Sequence, residues 1–139
     1  MNNIGIIGTG IFGTALALTA ARAGNNVLCQ ARDKNVAASI NLQHRNAKYL
    51  PDTPLPPTIR ATQEISEAMD FAEVILLTVS AQATRSVLQQ MRPFVKKDTI
   101  IVLCAKGIEL SSGKMLSEVA QEEVPEATTA ILSGPGFAT

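Results

Sequence analysis

Gly8-Thr9-Gly10-Ile11-Phe12-Gly13 sets three glycines at the spacing G-x-G-x-x-G, directly after the apolar run Ile4 to Ile7. This spacing has a physical meaning when a strand precedes it and a helix follows. The first glycine permits a tight turn out of the strand. The second lets backbone approach a pyrophosphate with no Cβ in the way, and the third lets the helix lie close on the sheet. The N–H groups and partial positive charge of the helix N-terminus then face the phosphates. Those tasks fall to Gly8, Gly10 and Gly13, with Thr14 and the backbone after Gly10 as the expected donors. A strand-to-helix turn without a ligand is the competing reading, and the matching context on both sides argues against it.

Further along, Gln30-Ala31-Arg32-Asp33 closes the second apolar run, where such sites choose between two cofactors. A carboxylate there accepts from the adenosine ribose hydroxyls of NAD, whereas an arginine accommodates the 2′-phosphate of NADP. Arg32 stands where the strand runs out and Asp33 comes one step later, so NADP, as NADPH, is favoured over NAD. An ordinary solvated charge remains the alternative for Arg32. Cys29 and Cys104 lie inside apolar, strand-like runs and read as small core residues rather than reactive thiols. His44 is the single histidine, in a proline-rich stretch, and reads as a loop residue more readily than as an acid or base. No grouping of Cys, His or carboxylates has metal-ligand spacing, so no metal site is expected.

The elements that must position these residues alternate regularly. Strands are expected at Ile4 to Ile7, Val27 to Ala31, Ile59 to Ala61, Val74 to Val79, Thr99 to Cys104 and Ala130 to Leu132. Helices are expected at Thr14 to Ala23, closed by Gly24, then Asn35 to Leu42, Ser66 to Phe71, Ala83 to Met91 ended by Pro93, and Lys114 to Glu123. This pattern gives an α/β fold, a Rossmann-type doubly wound, mostly parallel sheet of about six strands. Pro51, Pro54, Pro56 and Pro57 forbid a long helix or a central strand between Asn41 and Pro57. Structureless stretches of that length tend to be functional or mobile.

Length, 139 residues, and an apolar fraction of 46% suit one domain with an ordinary core. Twelve basic and twelve acidic residues cancel, and the few aromatics are not interleaved with basic residues, so nucleic acid is not an expected partner. No stretch approaches the roughly 18 apolar residues of a membrane span, and the N-terminus lacks the pattern of a signal peptide. The simplest location is the cytoplasm. A doubly wound domain normally continues with a helix after a turn such as Gly134-Pro135-Gly136, so the chain reads as cut from something longer.

The motif set is more specific than the glycine loop alone. Gly8-x-Gly10-x-x-Gly13-Thr14-Ala15-Leu16-Ala17 is followed by Arg45-Asn46 with Tyr49-Leu50-Pro51 and Leu55-Pro56. After these come Lys106-Gly107-Ile108-Glu109, Leu116-Ser117-Glu118-Val119 and Ser133-Gly134-Pro135-x-Phe137-Ala138. In this order, over essentially the whole chain, they resemble the N-terminal cofactor-binding domain of bacterial NAD(P)-dependent glycerol-3-phosphate dehydrogenases.

The resemblance implies reversible reduction of dihydroxyacetone phosphate by NAD(P)H to sn-glycerol 3-phosphate, for glycerophospholipid synthesis. It implies a full-length homodimer, with residues 1–139 as the NAD(P)-binding domain. Cofactor contacts are implied at Gly8, Gly10, Ile11, Phe12, Gly13, Arg32, Tyr49, Lys106 and Ala138, and substrate contacts at Lys106, Gly134 and Gly136. Lys106 stands just past the strand ending at Cys104, where its ammonium can bind substrate oxygens and stabilise charge growing on a carbonyl. The family's general acid/base is a lysine of a C-terminal helical domain, and nothing in residues 1–139 corresponds to it, so no catalytic residue is expected here. Ser80-Ala81-Gln82 departs from the family's Pro-Ser-Gln, and Gly136 replaces its serine, leaving only backbone to meet a substrate. Two other readings compete: another β-hydroxyacid or ketopantoate-type dehydrogenase with the same nucleotide domain, and a non-catalytic dinucleotide sensor.

Overall fold

The structure, a computed structural model, describes residues 2–133. Six strands and five α-helices alternate along it: β1 (Asn3–Ile7), α1 (Ile11–Arg22), β2 (Asn26–Gln30), α2 (Lys34–Gln43), β3 (Ile59–Thr62), α3 (Ile65–Phe71), β4 (Val74–Leu77), α4 (Ala81–Met91), β5 (Ile100–Leu103), α5 (Leu116–Glu123) and β6 (Thr128–Ile131). Pro93 falls in a single 3₁₀ turn, Arg92–Phe94, that closes α4. The strands form one sheet in the order β3-β2-β1-β4-β5-β6, and every pairing among them is parallel. This is the doubly wound order in which the chain reverses direction across the sheet between β1 and β4. The sheet is therefore wholly parallel rather than mostly so.

Strand periodicity divides the core. Ile6 and Cys29 point to the face covered by α1 and α2, where they pack with Ala17, Val36 and Ile40. Ile7, Ile75, Leu77, Ile101 and Leu103 point to the other face, under α3, α4 and α5, against Leu88, Met91 and Val119. Successive residues of a strand face opposite ways, so the run Ile6-Ile7 serves both layers. Each fully buried aliphatic side chain contributes about 1.5–3 kcal/mol, which explains why such short strands hold.

Local signals set the ends of the helices. Gly24 takes φ +92° just after α1, as a left-handed residue ending a helix should. Asp33 caps α2 by accepting from the Asn35 N–H at 2.8 Å. The first helix begins three residues before the expected Thr14, because the second half of the glycine motif is already its first turn.

The candidate dinucleotide site

The carboxyl ends of β1, β2 and β4 open onto a cleft of about 420 Å³, lined by Gly8, Thr9, Gly10, Arg32, Asp33, Lys48, Tyr49, Thr78 and Ser80 among others. It lies where the strand order reverses, the place at which open α/β sheets bind ligands. Its floor is the glycine loop. Gly8 turns out of β1 at φ +103°. A Cβ on Gly13 would overlap the Gly8 carbonyl oxygen and come within 2.7 Å of the Thr78 hydroxyl, whereas one on Gly10 would meet nothing within 4 Å. Gly13 is thus required by packing, and Gly10 leaves open space beside the loop.

Helix α1 starts at this floor with Gly10 as its N-cap, no side chain capping it and no acid in its first turn. The helices at either side of the cleft differ. Asp33 caps α2, and Ser80 caps α4 through its hydroxyl, which accepts from the Ala83 N–H at 3.3 Å. The first-turn N–H groups of Ile11, Phe12 and Gly13 have no acceptor within their own helix, so α1 presents uncapped donors where an anion would sit.

Thr14 does not join them. Its hydroxyl, buried beneath the loop, donates to the Gly10 carbonyl at 2.6 Å and accepts from the Asn46 amide at 2.9 Å. The expectation that Thr14 donates to a phosphate is therefore corrected, since its one proton is already committed inside the fold.

Arg32 stands exposed at the lip of the cleft beyond β2. Asp33, the residue that would favour NAD, is occupied twice: it caps α2 and lies 3.5 Å from the Lys48 ammonium. The helix N–H groups and Lys48 hold its carboxyl below the ordinary range. Tyr49 lines the same cleft, with the Lys48 ammonium 5.2 Å from its ring centroid. The cleft thus gathers Gly8, Gly10, Arg32 and Tyr49. Ile11 and Phe12, in α1's first turn, stand 61% and 52% exposed, and Gly13 is buried behind the loop.

Lys106 is elsewhere. It lines a second hollow of about 280 Å³, beyond β5 and β6, with Gly107, Leu116, Ser117 and Ser133. The expected contacts Gly134, Gly136 and Ala138 lie outside the described residues.

The segment carrying Lys106 is fastened on two sides. The Gln82 side chain donates to the Ile108 carbonyl at 2.9 Å and accepts from the Leu110 N–H at 2.9 Å, pairing with this backbone as a strand would. Arg85, one turn further along α4, grips Glu109 with two bonds, 2.8 Å from Nε and 3.0 Å from Nη2. Ser112 donates to the same carboxylate at 2.5 Å, and Arg85 also reaches Glu122 and Glu123 on α5. Neither Gln82, Arg85 nor Glu109 received a role from the sequence, although Glu109 closes the Lys-Gly-Ile-Glu motif. At the Ser80 departure the backbone holds φ −61°, a value that a proline would also take.

The Arg85 guanidinium, with the Ser112 hydroxyl, lowers the Glu109 carboxyl from 4.5 to about 2. A folded value below the unfolded one means stability that is complete above pH 4.5 and is lost as pH falls from there toward 2. Asp33 and Glu122 are lowered as well and act in the same direction. The thermal midpoint is expected to fall through that window, and to fall less for Glu109→Gln. Calorimetry across the acid range reads both.

The remaining candidates are structural. Cys29 is 1% exposed and its thiol is pushed up to about 12 by burial, and the Cys104 thiol is also raised by burial. His44 ends α2 in a left-handed turn (φ 54°) with its ring exposed, and its carbonyl accepts from Leu55 N–H at 2.7 Å. Among the described residues no group of three or more His, Cys, Asp and Glu could hold a metal, and no helix is long and apolar enough to cross a membrane.

Comparison with known proteins agrees with this geometry. Residues 3–139 match the family described as NAD-dependent glycerol-3-phosphate dehydrogenase N-terminus. The chain is 46% identical over 138 residues to glycerol-3-phosphate dehydrogenase (NAD(P)+) of Rhodospirillum rubrum, and 46% identical over 136 residues to that of Maricaulis maris. The alignments cover 99% and 98% of this chain but 40% of each relative, so the chain spans well under half of their length. Among solved structures, glycerol-3-phosphate dehydrogenase of Coxiella burnetii superposes with a TM-score of 0.88 at 31% identity, over 98% of this chain and 42% of that one.

Proposed function

Because this chain belongs to the family of the NAD-dependent glycerol-3-phosphate dehydrogenase N-terminus, we propose that residues 1–139 are the dinucleotide-binding domain of an enzyme reducing dihydroxyacetone phosphate to sn-glycerol 3-phosphate. The observation that carries this reading is the uncapped start of α1 on a glycine turn at the reversal point of the sheet. Bound there, a nicotinamide cofactor supplies the hydride.

This chain's residues do the rest of the binding. Gly8, Gly10 and Gly13 shape the turn that receives the pyrophosphate, and the N–H groups from Ile11 onward meet its charge. The Ile11 and Phe12 side chains and Tyr49 pack beside the cofactor, with Ala138 as a further contact. Lys106 lines the second hollow rather than the cleft, and in this reading cofactor and substrate meet it there, where its ammonium offsets charge developing on the carbonyl oxygen. Gly134 and Gly136 offer backbone to the substrate. A lysine beyond residue 139 moves the proton. The whole protein works as a homodimer in the cytoplasm.

Arg32, with Asp33 already occupied, favours NADPH. Arg32→Ala is expected to weaken NADPH binding about tenfold, the worth of one charge-assisted contact, with NADH little affected. Titration of both cofactors by calorimetry checks this, and equal weakening would remove Arg32 from the 2′-phosphate. If the full-length protein, loaded with NADPH, fails to bind dihydroxyacetone phosphate, the dehydrogenase reading fails.

A further inference from the structure

We propose that Asn46 is a positioning residue, which keeps the Thr9 carbonyl of the glycine loop turned into the protein so that the loop meets the dinucleotide with N–H groups. The inference rests on the cofactor reading above. Asn46 is 0% exposed, although it belongs to the proline-rich stretch rather than to the motif it supports. Its amide nitrogen donates to the Thr9 carbonyl at 3.2 Å and to the Thr14 hydroxyl at 2.9 Å. The Thr14 hydroxyl in turn donates a hydrogen bond to the Gly10 carbonyl at 2.6 Å. The Thr9 carbonyl is thereby held by a buried side-chain donor, while the Gly10 carbonyl, which accepts from the Thr14 N–H at 3.0 Å as the first bond of α1, gains the Thr14 hydroxyl as a second donor.

The direction of these bonds is what matters. A peptide unit that rotated the other way would aim a carbonyl oxygen at the pyrophosphate and withdraw an N–H from it. At the Thr9–Gly10 peptide, with a glycine on its far side, such a rotation meets little steric resistance, so a buried donor on the Thr9 carbonyl holds the orientation. The other end of the side chain serves the cleft as well. Asn46 Oδ1 accepts from the Tyr49 N–H at 3.1 Å, and its carbonyl accepts from the Leu50 N–H at 2.9 Å, which closes the turn presenting Lys48 and Tyr49. Only an amide donates twice and accepts once here, since a carboxylate accepts and cannot donate.

Asn46→Ala leaves the Thr9 carbonyl without its side-chain donor and Asn46→Asp adds a buried negative charge below an anion site. On the full chain, Asn46→Ala is expected to weaken NADPH and NADH about tenfold each, leaving their ratio as in the wild type, because the pyrophosphate is common to both. Asn46→Asp is expected to weaken them more. Val124→Ala, a cavity in the opposite core layer, gives a loss of stability with affinity unchanged within about twofold, which separates positioning from general destabilisation. Thr14→Val, which keeps volume and the backbone bond to Gly10 but removes the hydroxyl that anchors the Asn46 amide, is expected to weaken both cofactors in the same proportion and decides the matter if Asn46→Ala does not fold. A folded Asn46→Ala with wild-type affinity overturns the inference alone. Failure of the wild-type protein to bind either dinucleotide overturns the cofactor reading and the inference together.

Discussion

Alanine at position 10 is expected to leave the fold intact and to weaken the dinucleotide, whereas alanine at position 13 is expected to damage both fold and binding. The two glycines are three residues apart in one motif, yet their surroundings differ. A Cβ on Gly10 meets nothing within 4 Å, and the residue's φ of −87° is open to alanine. The unliganded protein therefore gains no clash. The space that Cβ takes is the space a pyrophosphate would use, and overpacking of this kind costs about 1–3 kcal/mol, which corresponds to a cofactor about 5- to 150-fold weaker. At position 13 the Cβ collides with the Gly8 carbonyl and crowds Thr78, whose hydroxyl donates to the Ile7 carbonyl at 3.0 Å. Backbone cannot rotate aside as a side chain can, so α1 must lift from the sheet. Gly13→Ala is expected to lose about 3 kcal/mol or more of stability and to lose cofactor affinity with the displaced helix N-terminus. Thermal melting and calorimetric titration of the two variants read the difference. A Gly10→Ala protein that binds as the wild type does would move the pyrophosphate away from this turn.

This contrast also shows what the sequence could convey. Gly10 and Gly13 were separable from the motif because each task depends on local geometry and a missing Cβ. The alternation of apolar runs with helices gave the order of elements for a similar reason, as hydrophobic periodicity is a local record of burial on two faces. Thr14 shows the limit. Its spacing fits a phosphate donor, and only the fold brings Asn46, 32 residues away, against its hydroxyl. Arg85 and Glu109 were illegible on the same ground, since their contact joins residues 24 apart and neither has a local role that its neighbours announce. Asp33 was placed one step late for a ribose, and the structure supplies the use that its position had left open: it starts α2.

On the proposed dehydrogenase reading, Arg85→Met is expected to lower kcat/KM for dihydroxyacetone phosphate in the full-length protein by about 10- to 100-fold, the scale on which a displacement near 1 Å acts, with cofactor affinity little changed. Arg85 touches neither cleft. It holds Glu109, and Glu109 is the fixed point of the segment that begins at Lys106. Without Arg85 the carboxylate, 5% exposed, keeps Ser112 as a partner but loses its paired cation, so the segment either shifts to hydrate the charge or takes up a proton. Both outcomes release one of the two anchors of the loop, leaving Gln82 as the other. Glu109→Gln keeps a side chain of the same shape that can still bond Ser112 and is expected to be milder. Arg85→Met combined with Glu109→Leu removes both charges, and is expected to regain thermal stability relative to Arg85→Met while kcat/KM stays low, because an apolar pair fills the space but does not set the register of the loop. Steady-state kinetics beside melting curves for the single and double variants separates these effects. Recovery of both stability and kcat/KM in the double variant would show that the ion pair serves the fold alone.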